Sequence, residues 1–169
     1  MKELKPENIT VIRDNREQLP FDLSPMRVID GTLATGDYSV LGLSHCIAIE
    51  RKSLPDLIMC VGQERERFEK EIQRLLSYET RAIIVEGSWL EIETGHWRGK
   101  VSSKAAMGSV LSWIARGIPI LMAGNRDRAA RMCGHLLFLA ARKRWRELQS
   151  FNDAVNEVDN ETRRDSQTD

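Results

Sequence analysis

The sequence predicts a single α/β domain in which a mixed central sheet is flanked by helices on both faces. Strand-like segments cluster in the first 50 residues, after which helical and strand-like segments alternate. The hydrophobic period changes from two residues to about 3.6 residues after Ser53, where the first helical pattern begins. The length of 169 residues suits one domain with a core of its own.

Six segments have the apolar pattern and the β-branched residues that are typical of strands. They comprise residues 9–14, 27–33, 37–41, 45–50, 81–87 and 118–124. A short connection, LGLS at residues 41–44, separates the third segment from the fourth. It predicts a hairpin between these two strands.

Three regions carry apolar residues at helical spacing. The first covers residues 53–78, with Phe68 and Ile72 on one stripe. The second covers residues 102–115, and the last long helix begins near Asn125. Helices placed between the later strands are expected to cover both faces of the sheet.

The chain is predicted to divide into a folded domain, residues 1–148, and a C-terminal extension, residues 149–169. Four apolar residues around this boundary are spaced by three, four and three positions, as on one helical stripe: Leu148, Phe151, Val155 and Val158. The stripe either packs on the chain's own domain or forms a seam for a partner. Beyond Asp159 the acidic tail has no apolar residue to bury, which predicts disorder.

Charge is distributed unevenly along a chain whose formal net charge is zero. From Gln149 onward six acidic residues stand against two arginines, which leaves the first 148 residues with a net charge of +4. This modestly basic body permits a DNA partner without requiring one. No apolar stretch approaches the roughly 18 residues of a membrane span. The N-terminus lacks the apolar core of a signal peptide, so a cytosolic protein is expected.

The candidate site centres on ERKSLPD, residues 50–56, which directly follows a strand-like segment. Glu50 and Lys52 point to one face of that strand because side chains alternate. An isolated pair of this kind would be a surface ion pair worth about 0–1 kcal/mol. The predicted hairpin, however, brings Asp37 beside Glu50, and two adjacent carboxylates repel unless a cation lies between them. Such hard oxygen ligands suit Mg²⁺ or Mn²⁺.

Three further charged residues have two interpretations each. Asp14 either supplies a third carboxylate or ends the first strand in an Asx turn. Asp56 either belongs to the site or stabilises a helix start, because Ser53 to Asp56 has the pattern of a capping box. Arg51 points away from the carboxylates, and it either pairs with an acid, such as Asp14 or Glu17, or lies exposed.

Three separated motifs resemble, in this order, the signature of XPF-type nucleases: DNRE at 14–17, GDY at 36–38 and ERKSLPD at 50–56. The chain is also similar to the wider PD-(D/E)xK superfamily, with Gly36-Asp37 in place of PD and Glu50-Arg51-Lys52 as the ExK element. The resemblance covers roughly residues 9–145 and implies a restriction-endonuclease-like core. It also implies a stand-alone bacterial or viral domain, since tandem helix–hairpin–helix modules and a helicase part do not fit here.

The resemblance implies a Mg²⁺-dependent DNA endonuclease that is selective for branched or flap DNA in repair or recombination. The implied catalytic residues are Asp14, Glu17, Asp37, Glu50, Lys52 and Asp56. Asp37 and Glu50 would bind Mg²⁺, for which Mn²⁺ substitutes, together with the Arg51 carbonyl. Asp14 would help to hold this ion or a second one. Lys52 would orient or help to deprotonate the attacking water.

The resemblance also implies partners. Seven residues are expected to contact DNA: Arg16, Arg51, Arg65, Arg67, Trp97, Arg98 and Lys100. Trp97 either stacks on a base or packs on its own loop. XPF-type nuclease domains pair through their C-terminal helices, so a homodimer is expected through residues 128–158. A non-catalytic DNA-binding scaffold, or a partner subunit of a nuclease complex, is the alternative function, and another PD-(D/E)xK activity is a third.

Overall fold

The computed structural model describes residues 3–165, with side chains described for residues 3–157. The strands in this range are β1 Thr10–Asp14, β2 Arg27–Gly31, β3 Tyr38–Val40, β4 Ile47–Lys52, β5 Thr80–Val85 and β6 Ile120–Met122. The helices are α1 Leu54–Val61, α2 Arg65–Leu76, α3 Trp89–Thr94, α4 Ser103–Ala115 and α5 Arg126–Asp165. All six predicted strands are therefore present, with boundaries that differ by a few residues.

The six strands form one mixed sheet in the order β2-β1-β3-β4-β5-β6. Three pairs are parallel, namely β1–β2, β4–β5 and β5–β6. Strand β3 runs antiparallel to both β1 and β4, with Tyr38 opposite Ile49. The predicted hairpin between the third and fourth strands is thus confirmed.

Helices cover both faces of this sheet, with a separate apolar core on each side. Helix α5 packs on the face that carries Ile47 and Ile49, where Leu137 is fully buried; we call this the α5 face. Helices α1, α2 and α4 cover the opposite face, where Trp113 packs in the same cluster as Ala48; we call this the α2 face. The predicted fold class, a mixed sheet flanked by helices, is confirmed.

The helical region predicted over residues 53–78 consists of two helices, α1 and α2. Gly62 ends α1, and a Cβ atom at this position would lie 2.9 Å from Cγ2 of Val101. Helix α3 is not among the predicted helices. It begins with a capping box formed by Ser88 and Glu91, a signal that apolar periodicity does not detect.

Helix α5 is longer than the sequence predicts. Its backbone is helical as far as Asp165, although disorder is predicted after Asp159. The glutamate and arginine residues of this segment favour a helix even without an apolar face. Residues 166–169 lie outside the described residues, and the division of the chain at residue 148 stays a prediction. Within residues 3–165 no helix is both long enough and apolar enough to span a membrane.

Candidate active site

Asp37 and Glu50 meet across the β3–β4 hairpin. In the register that pairs Tyr38 with Ile49, the next residues along are Asp37 and Glu50, and both side chains belong to the α2 face. The backbone N–H of Asp37 donates to the Ile49 carbonyl at 2.8 Å. The Asp37 carboxylate accepts a 2.7 Å hydrogen bond from the backbone N–H of Arg51. The backbone N–H and the carboxylate of Asp37 are therefore both hydrogen-bonded to β4.

Gly36 allows this close approach of the two strands. Its φ of +80° lies in the left-handed region that favours glycine. A Cβ atom there would also lie 3.0 Å from the Ile49 carbonyl oxygen. The glycine before Asp37 thus has a local structural reason, independent of any chemistry at the site.

Lys52 forms a close ion pair with Glu50 on the α2 face. The Lys52 Nζ lies 2.5 Å from Glu50 Oε1, and the two side chains are only 12% and 6% exposed. The Phe68 ring lies below the ammonium, with its centroid 5.2 Å from Nζ, within the range of a cation–π contact. The pair is therefore buried, unlike the surface pair that an isolated ExK sequence would form.

Glu71 of α2 adds a carboxylate that the sequence analysis did not identify. Its Oε2 lies 3.9 Å from Lys52 Nζ, and its charge helps to raise the pKa of Glu50. In α2 it lies between Phe68 and Ile72, which are both fully buried. A charged residue on the buried stripe of a helix is the signal that could have revealed it.

Burial and like charges raise the pKa values of both hairpin carboxyls. The pKa of Asp37 is raised to about 6, mainly by burial and further by the charges of Glu17 and Glu71, while a backbone hydrogen bond opposes the rise. The pKa of Glu50 is raised well above its usual range, first by burial and then by Asp37. Burial alone would lower the pKa of Lys52, but the charges of Glu50 and Glu71 raise it.

The residues at this position fit a divalent cation. Asp37, Glu50 and Glu71 bring three carboxyl groups together, and the single ammonium of Lys52 cannot offset all of them when they are ionised. Among the residues that the structure describes, no three His, Cys, Asp or Glu side chains are arranged to hold a metal ion by themselves. Mg²⁺ commonly takes one or two carboxylates and completes its shell with water and substrate phosphate. Asp37 and Glu50 match that pattern.

Asp14 does not join the hairpin carboxylates as a free ligand. Its carboxylate accepts hydrogen bonds from the Arg16 guanidinium at 2.6 and 3.1 Å, from the Arg16 backbone N–H at 2.9 Å and from the Leu33 N–H at 2.8 Å. The pKa of Asp14 is lowered to about 2, mainly by the Arg16 side chain. The backbone bond forms the Asx turn that was the alternative reading. The expected grouping of Asp14 with Asp37 and Glu50 is therefore not observed, because its oxygens are already used.

Arg16 and Glu17 lie beside the hairpin carboxylates. The Arg16 side chain is largely exposed, and its pKa is raised first by Asp14 and also by the charges of Asp37 and Glu50. Glu17 is buried, and its charge contributes to the raised pKa of Asp37. Arg16 is thus an exposed cation at the rim of the site, and Glu17 a buried acid behind it.

The Arg51 side chain extends to the α5 face. This position is contrary to the expectation that Arg51 contacts DNA. Its Nε donates to Glu86 at 2.8 Å, and its Nη1 lies 3.4 Å from Glu17. Arg126, the first residue of α5, donates to the same Glu86 oxygen at 3.0 Å. A guanidinium that is 10% exposed and held by two carboxylates is not available to a phosphate. Of the two acids expected to pair with Arg51, Glu17 forms the ion pair and Asp14 instead pairs with Arg16.

Asp56 lies exposed in the first turn of α1. Its Oδ2 accepts a hydrogen bond from Ser53 Oγ at 2.7 Å, and its backbone N–H donates to the same Oγ at 3.2 Å. The predicted helix start at Ser53 is therefore confirmed. The part that Asp56 plays in catalysis stays a prediction.

The other residues expected to contact DNA lie on two surfaces. Arg65 turns toward α4, where it donates to Ser109 at 2.8 Å. Arg67 forms an ion pair with Glu64 and lies close enough to Glu71 to be affected by its charge. Of the two arginines, Arg67 is therefore the one on the site's side of α2. Three further residues, Trp97, Arg98 and Lys100, lie in the loop between α3 and α4.

The antiparallel pair β3–β4 places Asp37 and Lys52 on the α2 face of the mixed sheet. This fold is that of a nuclease-type domain of the XPF class. A family model described as the ERCC4 domain matches residues 8–136. The chain therefore belongs to the ERCC4 domain family. No curated protein matches the sequence.

Two solved structures of XPF from Aeropyrum pernix resemble the chain. One has 25% sequence identity and a TM-score of 0.62, and the match covers 78% of this chain and 61% of that one. The other is a complex with DNA, with 25% identity and a TM-score of 0.63, covering 80% of this chain and 66% of that one. The chain thus spans slightly less than two thirds of the length of these archaeal chains. The resemblance to XPF-type nucleases that the motifs predict is confirmed.

Proposed function

We propose that the protein is a metal-dependent endonuclease that hydrolyses phosphodiester bonds of DNA, with a preference for branched or flap structures in repair or recombination. The buried group of Asp37, Glu50 and Lys52 at the end of the hairpin carries this proposal. Membership of the ERCC4 domain family supports it, as does the similarity to an archaeal XPF that forms a complex with DNA. The proposed enzyme acts in the cytosol, as the sequence predicts.

Asp37 and Glu50 would hold Mg²⁺, or Mn²⁺ in its place, with the Arg51 carbonyl as a further oxygen ligand. Their raised pKa values support this role, because positive charge between two buried carboxylates removes the repulsion that favours their neutral forms. The bound ion would supply Lewis-acid activation of the phosphate and of the attacking water. Asp14 would support the site from β1, where its backbone N–H donates to the Asp37 carbonyl at 2.8 Å and its carboxylate holds the Arg16 side chain at the rim.

Lys52 would orient the attacking water and stabilise negative charge on the reacting phosphate. The charges of Glu50 and Glu71 raise its pKa despite its burial. A protonated ammonium donates hydrogen bonds, which favours these roles over removal of a proton from the water. Glu71 would hold the ammonium in position from α2. Positioning and charge stabilisation are the main contributions that a protein makes to this kind of chemistry.

Cleavage of defined DNA structures tests the proposal. Purified protein is incubated with flap, forked, nicked and four-way DNA in the presence of Mg²⁺, Mn²⁺ or EDTA. We expect cleavage with either metal, none in EDTA, and slower cleavage of plain duplex. Glu50→Gln should abolish cleavage, whereas Glu66→Gln makes the same change at a carboxylate that is 91% exposed on α2 and should not. DNA binding without cleavage under every condition would instead favour the non-catalytic scaffold.

We also propose that residues 1–148 form the nuclease domain and that the region 128–158 joins two copies in a homodimer. Five apolar side chains on α5 remain exposed: Leu139, Trp145, Leu148, Phe151 and Val155. Their exposure argues against the reading in which the stripe packs on its own domain, although Val158 lies outside the described side chains. An apolar stripe of this length is typical of an interface. Pairing would double the basic surface, and DNA affinity follows the number of neutralised phosphates.

Light scattering of the protein at micromolar concentration tests the homodimer. We expect the mass of two chains for the wild type and of one chain for Phe151→Glu. The matched variant Leu111→Glu places the same charge at a half-exposed position of α4 and should remain dimeric. A wild-type protein that is monomeric and fully active would refute the proposed pairing.

A further inference from the structure

A concave surface lies between α1 and the loop of residues 95–101. This α1–loop groove has a volume of about 1030 Å³, at the upper end of the range for small-molecule sites. Its apolar and cationic lining includes six residues: Leu54, Ile58, Met59, Trp97, Arg98 and Lys100. The roles given above to the hairpin residues do not involve this groove.

The wall formed by the loop has a defined shape. The Trp97 indole N–H donates to the Val101 carbonyl at 2.9 Å, which closes the loop on itself. Gly95 begins the loop with a φ of +67°, in the left-handed region that favours glycine. At the other end, the missing side chain of Gly62 allows Val101 to pack against α1. The groove therefore exists before any ligand binds.

The lining combines an apolar floor with a cationic rim. Leu54, Ile58 and Met59 form the floor. Arg98 and Lys100 are exposed, and within residues 3–157 neither forms an ion pair or a side-chain hydrogen bond. Such a surface complements a ligand that has a flat apolar face and a negative charge.

The one carboxylate in the lining does not cancel this charge pattern. Glu91 accepts hydrogen bonds from the backbone N–H of Ser88 at 2.7 Å and from its hydroxyl at 2.8 Å, so it is committed to the cap of α3. The half-buried Trp97 adds an aromatic surface, on which a base could stack for about 1–3 kcal/mol in known single-strand sites. As a change in affinity this corresponds to about 5- to 150-fold. Base and phosphate are the two features that the floor and rim match.

One wall of the groove begins, along the chain, directly after the candidate active site. Leu54 follows Lys52 by two residues, and α1 starts directly after the catalytic strand. A nucleotide in the groove would therefore lie close to a phosphate at Lys52. The bases of a duplex are stacked and paired, so only an unpaired base could enter the groove.

We propose that the α1–loop groove binds an unpaired nucleotide of single-stranded DNA beside the point of cleavage. This inference rests on the proposed nuclease function and specifies the part of the substrate that is recognised. Trp97 and the apolar floor receive the base, while Arg98 and Lys100 contact the flanking phosphates. The groove would thereby contribute to a preference for flaps and forks over plain duplex.

Binding measured without metal tests the groove independently of cleavage. Fluorescein-labelled oligothymidine and a labelled duplex of equal length are titrated with the protein in EDTA, and anisotropy is recorded. Trp97→Leu and Met59→Glu should each weaken single-strand binding by about 5- to 150-fold and duplex binding by less than about threefold. Leu111→Glu introduces the same charge as Met59→Glu outside the groove and should change neither.

Each outcome of this experiment has a defined meaning. Equal losses for single strand and duplex would overturn the inference, because the groove would then contact only phosphates. Unchanged single-strand binding in folded Met59→Glu protein would also overturn it and leave the groove to another occupant. If the wild type cleaves DNA, either of these results refutes only the proposed binding of a nucleotide in the groove, and the proposed nuclease function stands. If it neither binds nor cleaves any DNA, the proposed function fails as well.

Discussion

The two faces of strand β4 differ in their balance of charge, although their residues alternate along the same short strand. On the α2 face, the site cluster contains three carboxyl groups and one ammonium: Asp37, Glu50, Glu71 and Lys52. On the α5 face, the balanced cluster contains two carboxylates and two guanidiniums: Glu17, Glu86, Arg51 and Arg126. Both clusters are largely buried, so burial does not distinguish them.

Charge balance, and not burial, distinguishes the face that carries the candidate site from the other face. The balanced cluster satisfies its charges internally and ties the start of α5 to the end of β4. The charges of the site cluster are not balanced internally. The raised pKa values of Asp37 and Glu50 show that their ionised forms are unfavourable without additional positive charge. Perturbed titration beside a specific charged partner is typical of active sites. The following variants should separate the two clusters.

The largest effect is expected for Glu50→Gln in the site cluster. It should lower the cleavage rate by about a thousandfold or more, because it removes a carboxylate that positions charge at the reacting phosphate. The free energy of unfolding should fall less than for Arg51→Met below, because Glu71 and Asp37 remain beside the Lys52 ammonium. Single-turnover kinetics and denaturant unfolding on the same preparation measure both quantities. A rate within about tenfold of the wild type at ordinary Mg²⁺ would sink the metal-site assignment.

Arg51→Met in the balanced cluster should act mainly on stability. It leaves Glu17 buried without its guanidinium partner, and breaking a buried pair in this way costs about 3–5 kcal/mol. We expect the lower end of this range, because Arg126 still pairs with Glu86. Urea unfolding measures the loss. Arg13→Met, which breaks the more exposed pair with Asp30, is the matched control and should cost only about 0–1 kcal/mol.

Asp37→Asn should change stability in a pH-dependent way when no metal is present. The folded-state pKa of Asp37, about 6, lies above its usual 3.8, so ionisation of this group favours the unfolded chain. The free energy of unfolding of the wild type therefore falls as the pH rises from about 4 through 6, the range in which Asp37 ionises. Relative to wild type, the variant should therefore gain about 1–3 kcal/mol at pH 8 and little at pH 4.

Unfolding free energies of both proteins, measured in EDTA across this pH window, check the expectation. Asp30→Asn, which changes an exposed aspartate, should show no comparable pH-dependent gain. A difference between wild type and Asp37→Asn that is constant with pH would contradict the origin assigned to the effect. Adding Mg²⁺ should stabilise the wild type more than the variant, since only the wild type retains both carboxylates.

The smallest effect is expected for Asp56→Ala, which lies outside both clusters. The change removes the partner of Ser53 and a negative charge at the start of α1, so stability should fall by about 0.5–1 kcal/mol. Cleavage should fall by less than about tenfold. Thermal unfolding and single-turnover kinetics distinguish the two contributions, and Ser53→Ala should reproduce the loss of stability. Abolished cleavage at unchanged stability would instead assign Asp56 to the site.

Much of the site could be predicted because it depends on short-range patterns. The spacing of Asp37 and Glu50 around a short connection fixed their pairing, since a hairpin register follows from loop length. The alternation of side chains correctly separated Arg51 from Glu50 and Lys52. The capping pattern at Ser53 located the start of α1. Each of these inferences involves residues that are close in sequence or paired by one turn.

The errors have a common physical cause, which is contact between distant elements. Glu71 reaches the site only because α2 packs across the sheet. Its position between Phe68 and Ile72 marks it as a charged residue on a buried stripe, but does not show what it contacts. The partner Glu86 reaches Arg51 because β5 lies beside β4 in the sheet order. The Asp14 carboxylate is held by Arg16 and Leu33, and only the positions of these two residues show that it forms the Asx turn. Its part in catalysis stays a prediction.

The sequence by itself determined the strands, the main helices, the hairpin and the three motifs that identify the family, because periodicity and turn chemistry are local properties. The tertiary structure decided which face of β4 is charge-balanced, which carboxylates surround Lys52 and which part of α5 remains uncovered. Those properties depend on how helices dock on the sheet. Docking is the sum of many weak contacts across the chain, and no short stretch of sequence encodes it.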